Sequence, residues 1–231
     1  MLVIGHRGAA GLAHENSLEA MQAGIDAGAD ILEFDVRLTK DNIPIISHDF
    51  HTLRSHRRLS IINRHTLEEL HVMFQDQPIV TLKEVLDAFF GRILLNIEVK
   101  GRGTAKVVID FIKSNYVTSK KDWESFFLSS FWGGELVNAR KISSDVNLAL
   151  LQSENPYLFI AYYRKLALSA VGFHRLYAPK LAIEIARKLH LFTYVYTVDR
   201  PEAALLFSQN NIDGVVTNRP DIILQTIKKN K

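Results

Sequence analysis

Short apolar runs and helix-spaced segments alternate along this chain from end to end, and that alternation restricts the fold more than any other feature. Leu2 to Ile4 leads through Gly5-His6-Arg7-Gly8 to Asn16, whose capping box with Glu19 opens a helix carrying Leu18, Met21 and Ile25 and stopped by Gly28. Ile31 to Leu38 is the second run, and its helix opens at Thr81, boxed by Glu84, with Leu82, Val85, Leu86 and Phe89 inward before Gly91. Three further pairs are Ile93 to Val99 with a helix from Thr104, Phe126 to Ser129 with a helix near Glu135 to Lys141, and Asn147 to Leu151 with a helix started by Pro156. The last three are Ala170 to Phe173 with a helix from Pro179, Phe192 to Val198 with a helix from Pro201, and Gly214 to Thr217 with a helix near Pro220 to Lys228. Eight strand-helix pairs in 231 residues predict an α/β fold, a closed (β/α)8 TIM barrel, because an open doubly wound sheet seldom repeats its unit eight times. The length suits one barrel of roughly 250 residues, so residues 1–231 read as a single domain.

One segment departs from the alternation. Asn42 to Ser47 looks like a strand, yet only Lys40-Asp41-Asn42 separate it from the second run, a gap that permits a hairpin and no crossover. A turn centred on Asp41-Asn42 places His48 opposite Asp35, both on one face of the sheet. Residues 50–80, with Pro78 and no clean periodicity, then form a small insertion above the barrel mouth.

Composition removes several kinds of chemistry. With no cysteine the chain has no thiolate nucleophile, zinc-thiolate site or disulfide, so any metal must be held by oxygen or imidazole. A net charge of +3 is too slight for a nucleic-acid footprint, and the basic run of Arg54, His56, Arg57 and Arg58 reads as a solvated loop. No stretch approaches the ~18 uninterrupted apolar residues of a membrane span. The N-terminus lacks the basic and long apolar regions of a signal peptide, so a cytoplasmic protein is expected.

In a (β/α)8 barrel the chemistry sits at the C-terminal ends of the strands, which makes polar residues there the candidates. Glu33 and Asp35 are two apart on one strand and project to the same side, while Phe34 and Val36 face the helices. Glu98 and Lys100 repeat the pattern on the next barrel strand. Three converging carboxylates cost several kcal/mol unless a cation compensates them, and an oxygen-only donor set suits one divalent cation, Mg2+ or Ca2+. His6 and His48 join this centre as a pair able to give and take protons near neutral pH. Arg7 and Lys100 supply positive donors of the kind that hold a phosphoryl group, so the site expects an anion. Taken singly, a His-Arg-Gly is usually a turn and a Glu-x-Asp an edge pair; their coincidence at one end of one barrel is what carries weight. His51, His56, His65, His71 and His190 read as solvated, whereas His174, at the end of the sixth barrel strand, faces the mouth.

The ordered set His6-Arg7-Gly8, Glu15-Asn16-Ser17, Gly28-Ala29-Asp30, Glu33-Phe34-Asp35-Val36, Thr39-Lys40-Asp41, His48-Asp49, Ile97-Glu98-Val99-Lys100, Tyr196-Thr197-Val198 and Asp213 to Thr217 resembles the glycerophosphodiester phosphodiesterases. The resemblance runs nearly the whole length. It implies a (β/α)8 barrel with a small insertion after the second strand, cleaving small-molecule glycerophosphodiesters to glycerol 3-phosphate and an alcohol. It further implies that Glu33, Asp35 and Glu98 bind a divalent metal, that His6 and His48 are acid and base, and that Arg7 and Lys100 hold phosphate. The chain departs from the family pattern at His14 and Ser17 (Pro-Glu-Asn-Thr in the family), at Asn42 (Asp-Gly), at Tyr196 (tryptophan) and at Asn218 (Thr-Asp). None of these is an acid, base or metal position, while Tyr196, near the mouth, bears on which alcohol is accepted. Two other functions stay open. A phosphodiesterase of lysophospholipids or sphingolipids needs an apolar trough, for which Phe131, Trp132 and the insertion are the material. A barrel that only binds phosphorylated ligands needs none of the acid, base and metal set. A nucleotide-binding open sheet is disfavoured, since Gly5-His6-Arg7-Gly8 lacks the G-x-G-x-x-G spacing.

Overall fold

A computed structural model describes residues 1–230; Lys231, the last residue of the expected domain, lies outside the described residues. Strands β1 (Leu2–Gly5), β2 (Ile31–Leu38), β4 (Leu94–Val99), β5 (Phe126–Ser130), β6 (Asn147–Gln152), β7 (Ala170–His174), β8 (Phe192–Tyr196) and β9 (Gly214–Thr217) run parallel, and β1 pairs with both β2 and β9 to close the ring. Each leads to a helix: α1 (Leu18–Asp26), α4 (Leu82–Phe89), α5 (Thr104–Asn115), α6 (Gly133–Ile142), α7 (Leu158–Leu166), α8 (Lys180–Lys188), α9 (Pro201–Gln209) and α10 (Pro220–Lys229). The (β/α)8 barrel is therefore as expected, with β3 (Pro44–Ile46) antiparallel to β2 outside the ring.

Two-residue periodicity sorts the strand residues. Phe34, Val36, Leu128, Leu148, Leu150, Val171, Phe173 and Val195 face outward into the layer beneath the helices, and Ile4, Ile31, Phe127, Ala149, Leu151, Tyr194 and Val216 fill the interior. Phe34, Phe126, Phe159 and Phe173 are wholly buried, each contributing roughly 1.5–3 kcal/mol on removal from water. By the same parity Glu33, Asp35 and Glu98 belong to the interior set, at its upper end.

The cap of α4 is as read: the Thr81 side chain accepts from the Glu84 backbone and Glu84 reaches back. At α1 the reading fails, because Ser17 and not Asn16 is the cap, its hydroxyl accepting from the Ala20 N–H at 3.0 Å. Both residue types cap helices, so neighbouring candidates are not separable by type. The hairpin register is also shifted by one. Val36 pairs with Ile46 and Leu38 with Pro44, so the residue facing Asp35 is Ser47, which donates its N–H to the Asp35 carbonyl at 2.9 Å. Asn42 is left-handed (φ 60°) and Ile43 N donates to the Thr39 hydroxyl, making a three-residue loop where a two-residue one was expected.

The insertion has structure of its own. Helices α2 (Leu53–His56) and α3 (Leu67–Met73), the latter opened by a Thr66–Glu69 capping box, gather Ile62, Leu70 and Phe74 against Ile45 and Ile79. His56 packs on Phe74 and binds Ser55 and the Gln77 carbonyl, and His71 binds the Ile79 carbonyl. Both are half-buried structural ties, not solvated side chains as expected.

Candidate active site

The loop after β1 turns back so tightly that a Cβ at Gly5 would lie 2.0 Å from the Gly8 carbonyl oxygen, and one at Gly8 (φ +87°) 2.5 Å from the backbone of α1. This fold-back needs glycine at both places and aims His6 and Arg7 across the mouth. Arg7 itself is held left-handed (φ 50°), the local cost typical of a functional loop. Its backbone N–H donates to Glu33 Oε2 at 2.8 Å and its Nε lies 3.3 Å from Asp35 Oδ2.

Glu33, Asp35 and Glu98 are buried, and each offers an oxygen within 4.8 Å of the other two. Lys100 lies 3.1 Å from Asp35 Oδ1 and forms an ion pair with Glu98. Asn16 seals the far side of Asp35, its Nδ2 donating to Oδ2 at 3.0 Å while its Oδ1 accepts the Asp35 N–H. Burial opposes ionisation of all three acids, but Lys100 and Arg7 both face Asp35 and hold it down at about 2. For the other two acids the same cations do not offset burial. Burial and then the repulsion of Asp35 push Glu33 up to about 8, and burial, opposed by Lys100 but seconded by Asp35 and Glu33, lifts Glu98 to about 8. Buried Glu33 Oε1 also lacks any hydrogen-bond partner. A donor set of three carboxylates, one with an orphaned oxygen, fits a hard divalent cation, and it is such a charge that would let all three ionise together.

The histidines flank this cluster. His6 Nε2 lies 4.0 Å from Glu33 Oε2, and its Nδ1 meets Asn218 Oδ1 at 2.7 Å. Burial, then the neighbouring Arg7 charge, holds its imidazole below the usual value. His48 follows β3 where the chain has left the ladder; Arg37 Nε clasps its carbonyl at 2.8 Å, and the ring Nδ1 meets Asp49 Oδ1 at 2.7 Å. Burial depresses His48 too, against the pull of Asp35. The hairpin thus returns His48 to the field of Asp35, though by leaving the strand and not by the expected cross-strand pairing. His6, Arg7, Glu33, Asp35, Glu98 and Lys100 stand together where they were expected.

Residues outside that set join it. Arg54, expected in a solvated run, reaches Glu15 Oε1 at 2.5 Å and Asp49 Oδ2 at 2.8 Å, and Glu15 in turn holds Arg7 at 2.9 Å. A cavity of about 510 Å3 between the insertion and the loop before α1 reaches His48, Arg54 and His56. Asn218 touches His6 although it occupies none of the acid, base or metal positions. Aromatic residues cover the opposite side of the mouth. Phe131 sits edge-on to Tyr196 and 5.6 Å from Lys100 Nζ, and His174 packs on Tyr196 and Tyr177. The Tyr196 hydroxyl is committed to the Gln152 carbonyl at 2.6 Å, so it presents its ring, not its oxygen. No helix among the described residues is long and apolar enough to cross a membrane.

A closed barrel that brings three buried carboxylates, two histidines, Arg7 and Lys100 together at its mouth is built as a barrel phosphodiesterase would be. The chain matches the family described as "Glycerophosphoryl diester phosphodiesterase family" over residues 6–222, and it belongs to that family. It is 28% identical to the glycerophosphodiester phosphodiesterase of Caldanaerobacter subterraneus, with 99% of this chain and 98% of that protein covered. The crystal structure of the Thermotoga maritima glycerophosphodiester phosphodiesterase is similar at TM-score 0.84 and 28% identity, covering 97% of each chain. An Oleispira antarctica phosphodiesterase, solved in complex with its product sn-glycerol-3-phosphate, shares the fold at TM-score 0.87 and 23% identity, with 99% of this chain and 97% of that chain covered.

Proposed function

We propose that this chain, acting as a single domain on small molecules in the cytoplasm, hydrolyses glycerophosphodiesters to sn-glycerol 3-phosphate and an alcohol. The observation that carries this is the meeting of three carboxylates, two histidines and two cations at one end of the barrel. Glu33, Asp35 and Glu98 would hold one Mg2+ or Ca2+, which when bound supplies positive charge to the phosphate oxygens. Arg7 and Lys100 bind the same phosphate from either side of Asp35. One histidine takes the proton of the glycerol 2-hydroxyl, which attacks phosphorus, while the other protonates the leaving alcohol. Attack by a hydroxyl already attached to the substrate has an effective molarity of roughly 10^5 M or more over a free nucleophile. Water then opens the cyclic phosphate with the histidine roles reversed. Tethering of His48 and His6 through Nδ1 supports this reading, because it leaves each Nε2 available to the substrate.

The test is glycerol 3-phosphate release from a panel of glycerophosphodiesters, lysophospholipids included, with and without chelator. Release confined to headgroup-sized diesters and abolished by chelation is expected. Full activity in excess chelator refutes the cation, and an untouched panel with tight phosphate binding refutes turnover. A 2-deoxy substrate reacting at the normal rate with no cyclic 1,2-phosphate would transfer the attack to water.

A further inference from the structure

Two hydrogen bonds beyond His6 stands Asp199, in the loop between β8 and α9, a residue with no part in the cation, phosphate or proton-transfer set. We propose that Asp199, acting through the side-chain amide of Asn218, fixes the tautomer of His6 and is a positioning residue for the reaction. The inference rests on His6 being one of the two acid/base groups.

A carboxylate has only lone pairs to offer. Asp199 Oδ1 accepts from the Asn218 backbone N–H at 2.8 Å and from the Thr217 hydroxyl at 3.0 Å, and Oδ2 accepts from Asn218 Nδ2 at 2.7 Å. The amide nitrogen of Asn218 is thereby committed to Asp199, and its oxygen is turned on His6 Nδ1 at 2.7 Å. That oxygen cannot donate, so Nδ1 carries the hydrogen. A neutral imidazole has one N–H, which leaves Nε2 bare on the side of Glu33 and the reacting centre. His48 reaches the same state in one step, with Asp49 directly on its Nδ1.

The frame is rigid enough for such selection. His6, Asp199 and Asn218 follow β1, β8 and β9, which are neighbours in the ring, and their loops are laced together by His6 N to the Thr217 carbonyl and Val198 N to the Val216 carbonyl, both at 2.8 Å. What is free is the amide plane of Asn218, whose two ends are nearly equal in shape. Remove the charge from Asp199 and that choice reverses. In Asp199→Asn the new amide keeps its oxygen on the Asn218 N–H and Thr217, and its nitrogen then meets the Asn218 nitrogen, donor against donor. Asn218 turns over, offers N–H to His6 Nδ1, and moves the ring hydrogen to Nε2, where it blocks proton uptake. Exchanging the two residues cures this: in Asp199→Asn/Asn218→Asp the carboxylate at 218 accepts from both His6 Nδ1 and the amide at 199.

Two measurements on the full-length protein test this: long-range 1H–15N spectra of the His6 ring at a pH where it is neutral, and kcat with KM for a glycerophosphodiester under saturating divalent cation. For Asp199→Asn we expect the hydrogen to move from Nδ1 to Nε2, kcat to fall roughly 10- to 100-fold and KM to stay within about threefold. The double variant should return the hydrogen to Nδ1 and kcat to within about threefold of the parent, a rescue that a merely structural Asp199 would not allow. An Nδ1 hydrogen retained in Asp199→Asn, or an Nε2 hydrogen persisting in the double variant, overturns the proposal; if Asp199→Asn does not fold, Asp199→Ala, which leaves the Asn218 amide free to turn, is read instead, and a hydrogen still wholly on Nδ1 overturns the proposal. A tautomer that moves as expected while kcat does not would uphold the relay and remove His6 from the acid/base pair instead.

Discussion

Glu33→Gln, studied in chelator, measures what an uncompensated carboxylate costs this fold. Glu33 ionises at about 8 against an ordinary 4.5, because burial and then Asp35 oppose its charge. Its native state therefore keeps a proton that the unfolded chain releases, and stability falls as pH rises from 4.5 through 8. At ~1.4 kcal/mol per tenfold the gap amounts to about 5 kcal/mol, reduced to about 4 at pH 8 where half the carboxyl is still protonated. Water entering the mouth and side-chain relaxation leave roughly half of this, ~2 kcal/mol. Glutamine keeps an oxygen for the Arg7 N–H and turns its nitrogen toward the Asp35 and Glu98 oxygens, so the substitution removes the charge without emptying the site. For a chain of this size ~2 kcal/mol raises Tm by about 4–8 °C. At pH 5 the gain should shrink to about a fifth. With saturating Mg2+ the order should reverse, since only the parent binds the ion tightly and is stabilised by it. Thermal melts of both proteins at pH 5 and pH 8, in chelator and in Mg2+, give the four numbers. A variant no more stable than the parent at pH 8 in chelator, or equally favoured at both pH values, would mean that Arg7 and Lys100 already satisfy the cluster and that the demand for a cation has been overestimated.

His6→Ala and His48→Ala should each lower kcat by about 10^2- to 10^4-fold while calorimetric cation binding is retained, which separates proton transfer from metal binding. Cation affinity should rise with pH between 6 and 8, approaching about tenfold per pH unit for each proton displaced, because the raised Glu33 and Glu98 must give up protons to bind; calorimetry in buffers of different ionisation enthalpy counts them. Arg54→Ala should raise KM by several-fold, since it frees Glu15 behind Arg7, yet shift Tm by no more than about 2 °C, because Arg54 is exposed and its ion pairs are screened; unchanged KM would show the latch to be idle.

What could be read from the sequence was what local geometry determines. Parity along a strand is such a property: Glu33, Asp35 and Glu98 had to share the barrel interior once their alternates Phe34, Ile97 and Val99 were seen to be apolar, and they do. The Thr81–Glu84 box is another, closed within one turn of helix. Register was lost at a single residue. Asn42 in the left-handed region converts a two-residue loop into a three-residue one, and one residue of slip moves every partner, so Asp35 faces Ser47.

The partners of the site were hidden for a different reason. Asn16 has the composition of a helix cap and Arg54 that of a solvated basic run, and each becomes part of the site only through a contact that no spacing encodes: Asn16 with Asp35 across 19 residues, Arg54 with Glu15 across a helix and a strand pair, His6 with Asn218 across 212. Acids placed in a barrel interior are conspicuous because burying charge is costly, and the sequence advertises the cost. The groups that offset it are ordinary surface residue types on loops, where arginine, asparagine and aspartate are unremarkable. Hence the acidic cluster was legible from the cost of burying it, while the side chains that hold its neighbours in place emerge only when the ring closes and brings the loops after β8 and β9 against the loop after β1.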